Sequence, residues 1–201
     1  MEPRRTRENT WRHLTGAIAC LFMGYFAFVR STRVPLLGLV DLGFHELGHL
    51  LTYWLPDVVT AAMGSINQVA VPLGIALYFL FWPGRTRDWM AGGLCLAWAG
   101  TSAQDVSVYI ADAPYQRLHL IGGYHDWAFV LGPDHLDHLD WAAGLATIVK
   151  MSGEALLIAG IAACVYGLVK ANRSLGDPRP QARPEMQRRE FDVTVWGSRS
   201  S

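Results

Sequence analysis

This sequence predicts an all-α fold, a polytopic membrane helical bundle of about five spans, and three observations carry that prediction. Hydrophobic residues make up 51% of the 201 and charged residues only 17%. With a mean hydropathy of +0.18 the chain is too apolar for an ordinary soluble domain of its size. The apolar residues fall in separate runs closed off by short stretches that carry arginine or proline. One run, residues 36–55, holds three ionisable side chains in the pattern His45-Glu46-Leu47-Gly48-His49.

The formal net charge is zero, so nothing points to nucleic acid. Cys20, Cys95 and Cys164 sit in separate apolar runs, and small packing residues are the reading for them rather than disulfides or thiolate ligands.

Residues 1–13 are polar and basic (Arg4, Arg5, Arg7, Arg12) and read as a tail at the membrane surface. Residues 14–29 are wholly uncharged and form the first span, read as retained because no small-residue cleavage site follows it. Arg30 and Arg33 stop it. Pro35 suits the start of the second span, residues 36–55, and Pro56 ends it. Residues 57–63 read as a short strand or loop, and Gly64-Ser65-Ile66-Asn67-Gln68 as a polar turn. Residues 69–82 are apolar, but at about 1.5 Å per residue they cover about 21 Å of a core about 30 Å thick. Either this span is short, or it starts earlier and draws Asn67 and Gln68 to membrane depth. Polar, irregular backbone is tolerated there only against protein or a water-filled cavity.

Residues 83–88 are a polar turn, and residues 89–111 form the fourth span. Small residues fill its first half, which suits close helix packing in lipid. Ser102, Gln104, Asp105, Ser107 and Tyr109 occupy its second half. Residues 112–140 form a mixed loop with His119, His125, His135 and His138. Residues 141–169 are the last span, in which Lys150 and Glu154 stand four apart and pair, or Lys150 snorkels. Residues 14–170 thus form one membrane-embedded domain, and residues 171–201 an Arg/Pro-rich tail with too few apolar side chains to fold. Orientation stays open, because the arginines after the first and third spans and those of the N-terminal tail vote for opposite sides.

The chemistry sits in the second span. On a helix, residues four apart are offset by about 40°, so His45 and His49 face one way, one turn apart, and can grip one metal ion. Glu46 lies about 60° from His49 and can reach a water on that metal without ligating it. The bland alternative is two packed histidines and a glutamate. Burying three ionisable groups in an apolar helix costs several kcal/mol unless they are paired or metal-bound, which favours the metal.

A catalytic zinc takes three protein ligands and keeps one position open, so a third donor is needed. Asp105 is the first candidate. If the second and fourth spans run parallel, His49 lies about 20 Å in, Asp105 about 24 Å and Asp112 about 34 Å. Asp112 then reads as a helix-terminal polar residue. Asp126 or His125 could instead reach the metal if the loop folds back, or could orient a ligating histidine; Trp127 beside them also suits an interfacial anchor. Asn67 and Gln68 are candidate substrate-binding residues, placed to hydrogen-bond a peptide backbone or an oxyanion. His135 and His138 lie in a charged amphipathic run that reads as a solvated face, and His13 as incidental.

Over roughly residues 36–112 these features resemble the site-2 protease class of intramembrane zinc metalloproteases. The set Phe44-His-Glu-Leu-Gly-His49, Gly64-Ser-x-x-Gln68, Tyr109-Ile-Ala-Asp-Ala113 and His125-Asp-Trp127 is similar to that of small bacterial membrane proteins related to the class. The resemblance implies Zn2+ and Glu46 as general base. It also implies membrane-protein or peptide substrates cut in or beside the lipid bilayer, and a multi-pass location in a bacterial inner membrane. The class usually carries its aspartate in an Asp-Gly pair and an Asn-Pro segment before it. Here Asp105 is followed by Val106 and Asn67 by Gln68, and no peptide-binding accessory domain is apparent. Two other readings compete: a non-catalytic metal-binding membrane protein, and a di-iron membrane oxygenase. The latter would recruit His119, His125, His135 and His138, yet usually needs more histidines in tighter clusters than the seven scattered here.

Overall fold

A computed structural model of the chain describes residues 2–82, 87–120 and 123–176, with side chains from residue 10 to residue 173. Among them there are helices and loops and no strand. Helix α1 runs Glu2–Gly24 and widens into a π-turn at Tyr25–Val29, where Arg30 N–H bonds back to Tyr25 O at 2.9 Å. The basic segment expected as a tail is therefore the start of a helix. Its only proline, Pro3, falls in the first turn, where no intrahelical donor is lost.

Helix α2 spans Leu37–Thr52 and α3 spans Asp57–Phe81. The strand or loop expected at residues 57–63, and the turn expected at 64–68, are both corrected: these residues are the first three turns of α3. Pro56 delimits the start, Asp57 places a carboxylate in the first turn, and negative charge there suits the helix dipole. The polar side chains that read as a turn are instead satisfied across helix contacts. Asn67 Nδ2 donates to Phe44 O at 2.6 Å, and Ser65 Oγ accepts from Trp127 Nε1 at 2.9 Å.

Helix α4 spans Trp89–Asp112, with Asp88 accepting from Ala91 N–H at 3.0 Å as its cap. Of the turn expected at residues 83–88, residues 83–86 lie outside the described residues. The long loop after α4 contains the short α5, Asp126–Leu131, and one 3-10 turn, Leu139–Trp141, which leads into α6, Ala142–Gly176. Residues 171–176, expected in the disordered tail, continue α6, and the rest of that tail lies outside the described residues.

Among the described residues three stretches are long and apolar enough to cross a membrane: Thr10–Val29, Asp57–Phe81 and Leu139–Arg173. The sequence predicts about five. Helix α2 has 16 residues, fewer than the roughly 20 a span needs. Helix α4 is long enough at 24 residues, but the polar side chains of its second half lower its hydropathy.

Helix α4 is the centre of the bundle. It packs against α6, α3 and α1, while α2 lies on α3 and α5 sits on α3 from the loop side. Glycines set the α4–α6 spacing: a Cβ on Gly100 would stand 2.6 Å from Gly153 O, so the two backbones touch there. Between α2 and α4 the seam is polar. The buried Asp41 carboxylate accepts from Trp98 Nε1 at 2.7 Å and Ser102 Oγ at 2.9 Å. His45, one turn on, then lies beside Tyr109, with ring centroids 5.9 Å apart. These two contacts fix the register and make α2 and α4 run in the same direction.

Candidate metal centre

Helical spacing puts the two histidines together, as expected. Both lie on α2, with ring centroids 4.8 Å apart and planes at 79°. His49 Nδ1–H donates to Thr60 O of α3 at 2.9 Å. That bond selects the tautomer and leaves Nε2 as the free donor, as a ligating histidine requires.

The third group is Asp126. Its Oδ2 lies 2.9 Å from His45 Nε2 and 3.4 Å from His49 Nε2. One donor atom from each of His45, His49 and Asp126 falls within 4.8 Å of the others, and among the described residues this is the one group of three or more metal-ligating side chains so close together. Ligands about 2.0–2.2 Å from a tetrahedral zinc stand roughly 3.4 Å from one another, so the donor set is close to what such an ion needs.

Asp126 is held by α4 at two points. Its backbone N–H donates to Tyr109 Oη at 2.9 Å, and Tyr109 Oη–H donates to its Oδ2 at 3.2 Å. On one side His125 caps α5 by accepting from Ala128 N–H through Nδ1 at 3.3 Å, with its ring stacked on Tyr109 at 4.3 Å. Burial lowers the His125 imidazole below its usual range, against the opposing pull of the Asp112 and Asp126 carboxylates. A neutral ring is what an accepting Nδ1 requires. Its Nε2 lies 3.4 Å from Asp112 Oδ2, off hydrogen-bond alignment. On the other side the Trp127 bond to Ser65 ties α5 to α3. Tyr109→Phe should therefore lower metal affinity about 10- to 100-fold by freeing the Asp126 carboxylate. A competition titration against a chromogenic chelator reads this directly.

Helix α3 closes the cradle from behind at Gly64. A Cβ there would stand 2.6 Å from His49 Nε2 and 2.7 Å from His45 Nε2, in the space where donor lone pairs converge. Gly64→Ala should then raise the helix propensity of α3 yet cost at least tenfold in metal affinity. Circular dichroism unchanged alongside weakened metal binding is the expected pair of results.

The remaining candidates take other places. Asp105 Oδ1 accepts from Arg33 Nε at 2.8 Å and its Oδ2 from Gln68 Nε2 at 3.1 Å, so it faces Arg33 rather than the histidines. Asp112 accepts from the Arg117 and Leu118 N–H groups at 3.1 and 3.0 Å, closing the chain after α4 as a helix-terminal residue does. Asn67 braces α2 against α3. His135 packs on Phe129 and His138 stacks on Trp141, away from the group. Thr60 and Gly64 had no ligand chemistry to announce them; a lone glycine inside a helix was the available signal for Gly64.

In front of the histidines lies a cavity of about 230 Å³ whose wall includes Glu46, Gln68, Asp105, Tyr109, Tyr124 and Arg33. Glu46 is exposed there, and no hydrogen bond engages its carboxylate among the described residues. A second cavity of about 320 Å³ adjoins it. The two share Arg33, Asp105, Tyr109 and Leu120 in their walls.

Fold and site together define a helical protein with helices long and apolar enough to cross a membrane and a His-His-Asp group able to hold a metal ion. Comparison with known proteins finds no matching family model, no matching curated protein and no matching solved structure.

Proposed function

We propose that this chain is an intramembrane zinc metallopeptidase of the site-2 protease kind, cutting peptide bonds of membrane-associated substrates, with α2 and α4 as two further spans. One observation carries the reading. Two histidines one turn apart on α2 meet a carboxylate from α5, and the acid of the motif, Glu46, borders the same cavity with its carboxylate unpaired among the described residues.

Zinc bound by His45, His49 and Asp126 would acidify a water and polarise the scissile carbonyl. The chain's own groups do the rest. Glu46 accepts the proton of the attacking water and returns it to the leaving nitrogen, so water adds across the C–N bond to give a carboxylate and an amine. Tyr109 holds Asp126 in place, and Thr60 holds the His49 tautomer. Gln68 holds the Asp105 carboxylate on the cavity wall through its Nε2.

The test is hydrolysis of membrane-anchored peptides by the detergent-purified, zinc-loaded chain. Turnover that a chelator abolishes and added zinc restores is the expected result. Two irons per chain, or one tightly held metal with no hydrolysis of any peptide, would overturn the reading.

A further inference from the structure

We propose that Arg33 is an anion receptor on the wall of the metal cavity, and that the site takes peptides presenting a carboxylate next to the scissile bond. This inference rests on the peptidase reading above and names the substrate class of that same site.

Arg33 is the one lysine or arginine among the described residues on the wall of that cavity. Its guanidinium makes one hydrogen bond among the described residues, from Nε to Asp105 Oδ1 at 2.8 Å. Among the described residues both Nη groups are left over. They form the planar, two-donor edge that matches the two oxygens of a carboxylate. Asp105 is itself held by Gln68, so the pair orients the guanidinium without using that edge. The side chain is 61% exposed, so the edge is accessible to a ligand.

The loop carrying Arg33 is held in a costly shape. Ser31 has φ +50° and Leu36 has φ +65°, left-handed conformations that side-chain-bearing residues rarely adopt. Between them Arg33 is packed so tightly on α2 that a Cβ at Gly38 would lie 3.2 Å from its own Cβ. Such a loop places one side chain rather than merely joining two helices.

The surroundings select the anion. Glu46, Asp105 and Asp126 share the wall, and three carboxylates disfavour a doubly charged phosphate more than a single carboxylate. At about 230 Å³ the cavity is also smaller than the roughly 300–1,000 Å³ of ordinary ligand clefts. It suits the end of a chain or one side chain rather than a folded segment. The carboxylate has two sources, a free C-terminus or an acidic side chain.

The test uses the full-length, zinc-loaded chain in detergent and two hydroxamates titrated calorimetrically, acetohydroxamate and the monohydroxamate of succinate. The carboxylate-bearing probe should bind roughly 10- to 100-fold more tightly, the range for a charge-assisted hydrogen bond. Arg33→Gln should erase that preference and leave the neutral probe's affinity unchanged. Arg33→Lys, a point charge without the fork, should retain part of it. Equal binding of both probes to the unaltered chain, a preference that survives Arg33→Gln, or zinc retained with neither probe bound would each overturn the receptor. Peptide pairs separate the sources. Slower cleavage on C-terminal amidation assigns the chain end, slower cleavage when a glutamate is replaced by glutamine assigns the side chain, and loss in neither overturns the substrate class. Hydrolysis of no peptide with the probe preference intact would sink the peptidase reading and spare the receptor.

Discussion

Asp126→Ala is expected to strip the metal from the chain, and Asp105→Ala to leave it bound. Two histidines alone make a weak site, whereas three donors define a catalytic zinc site. Asp126 Oδ2 is within 3.4 Å of Nε2 of both His45 and His49, while the Asp105 carboxylate is occupied by Arg33 and Gln68. Losing the third donor should cost at least about 100-fold in affinity, beyond the range typical of residues that only support a ligand. The measurement is zinc per chain after dialysis against a weak chelator. Equal zinc in both variants, or loss with Asp105→Ala alone, would mean that another group supplies the third ligand. Thermal melting of the metal-free forms serves as the control, since Asp105→Ala also releases Arg33 and Gln68 and its cost should appear there.

Glu46→Gln should lower kcat about 10²- to 10⁴-fold, the span attributed to a positioned acid or base, with zinc content unchanged. Glutamine keeps the shape and volume of the side chain but cannot take a proton. Glu46 borders the metal cavity and its carboxylate makes no hydrogen bond among the described residues, so the exchange removes no side-chain contact described there. That separation makes the variant informative: a stability loss would blur the reading, and none is expected. Activity persisting in the zinc-loaded variant would remove Glu46 from the mechanism, whatever becomes of the metal site.

Much of this centre was readable within single elements. The 3.6-residue period places His45 and His49 on one face of α2 whatever surrounds it. Depth arithmetic along parallel helices brought Asp105 to the level of His49, but the helices meet in another register, with Tyr109 rather than Asp105 beside His45. Depth is not direction, however. Asp105 and Tyr109 share a stripe on α4, yet one reaches Arg33 and the other reaches Asp126. Which did which depended on the loop after Val29 and the loop after α4, and neither has a periodicity to read.

The same limit explains α3. Gly64, Ser65, Asn67 and Gln68 have the composition of a turn, because a polar cluster in an apolar run usually marks solvent. In the bundle their partners are Trp127, the Phe44 carbonyl and Asp105, supplied by α5, α2 and α4. The sequence by itself determined the helical class, the apolar runs and the paired histidines, since each depends on spacing along one helix. The third donor, the cradle at Gly64 and the setting of Arg33 were decided only by tertiary structure. Each brings together groups from separate elements, and their meeting depends on loop closure and helix packing rather than on any local period.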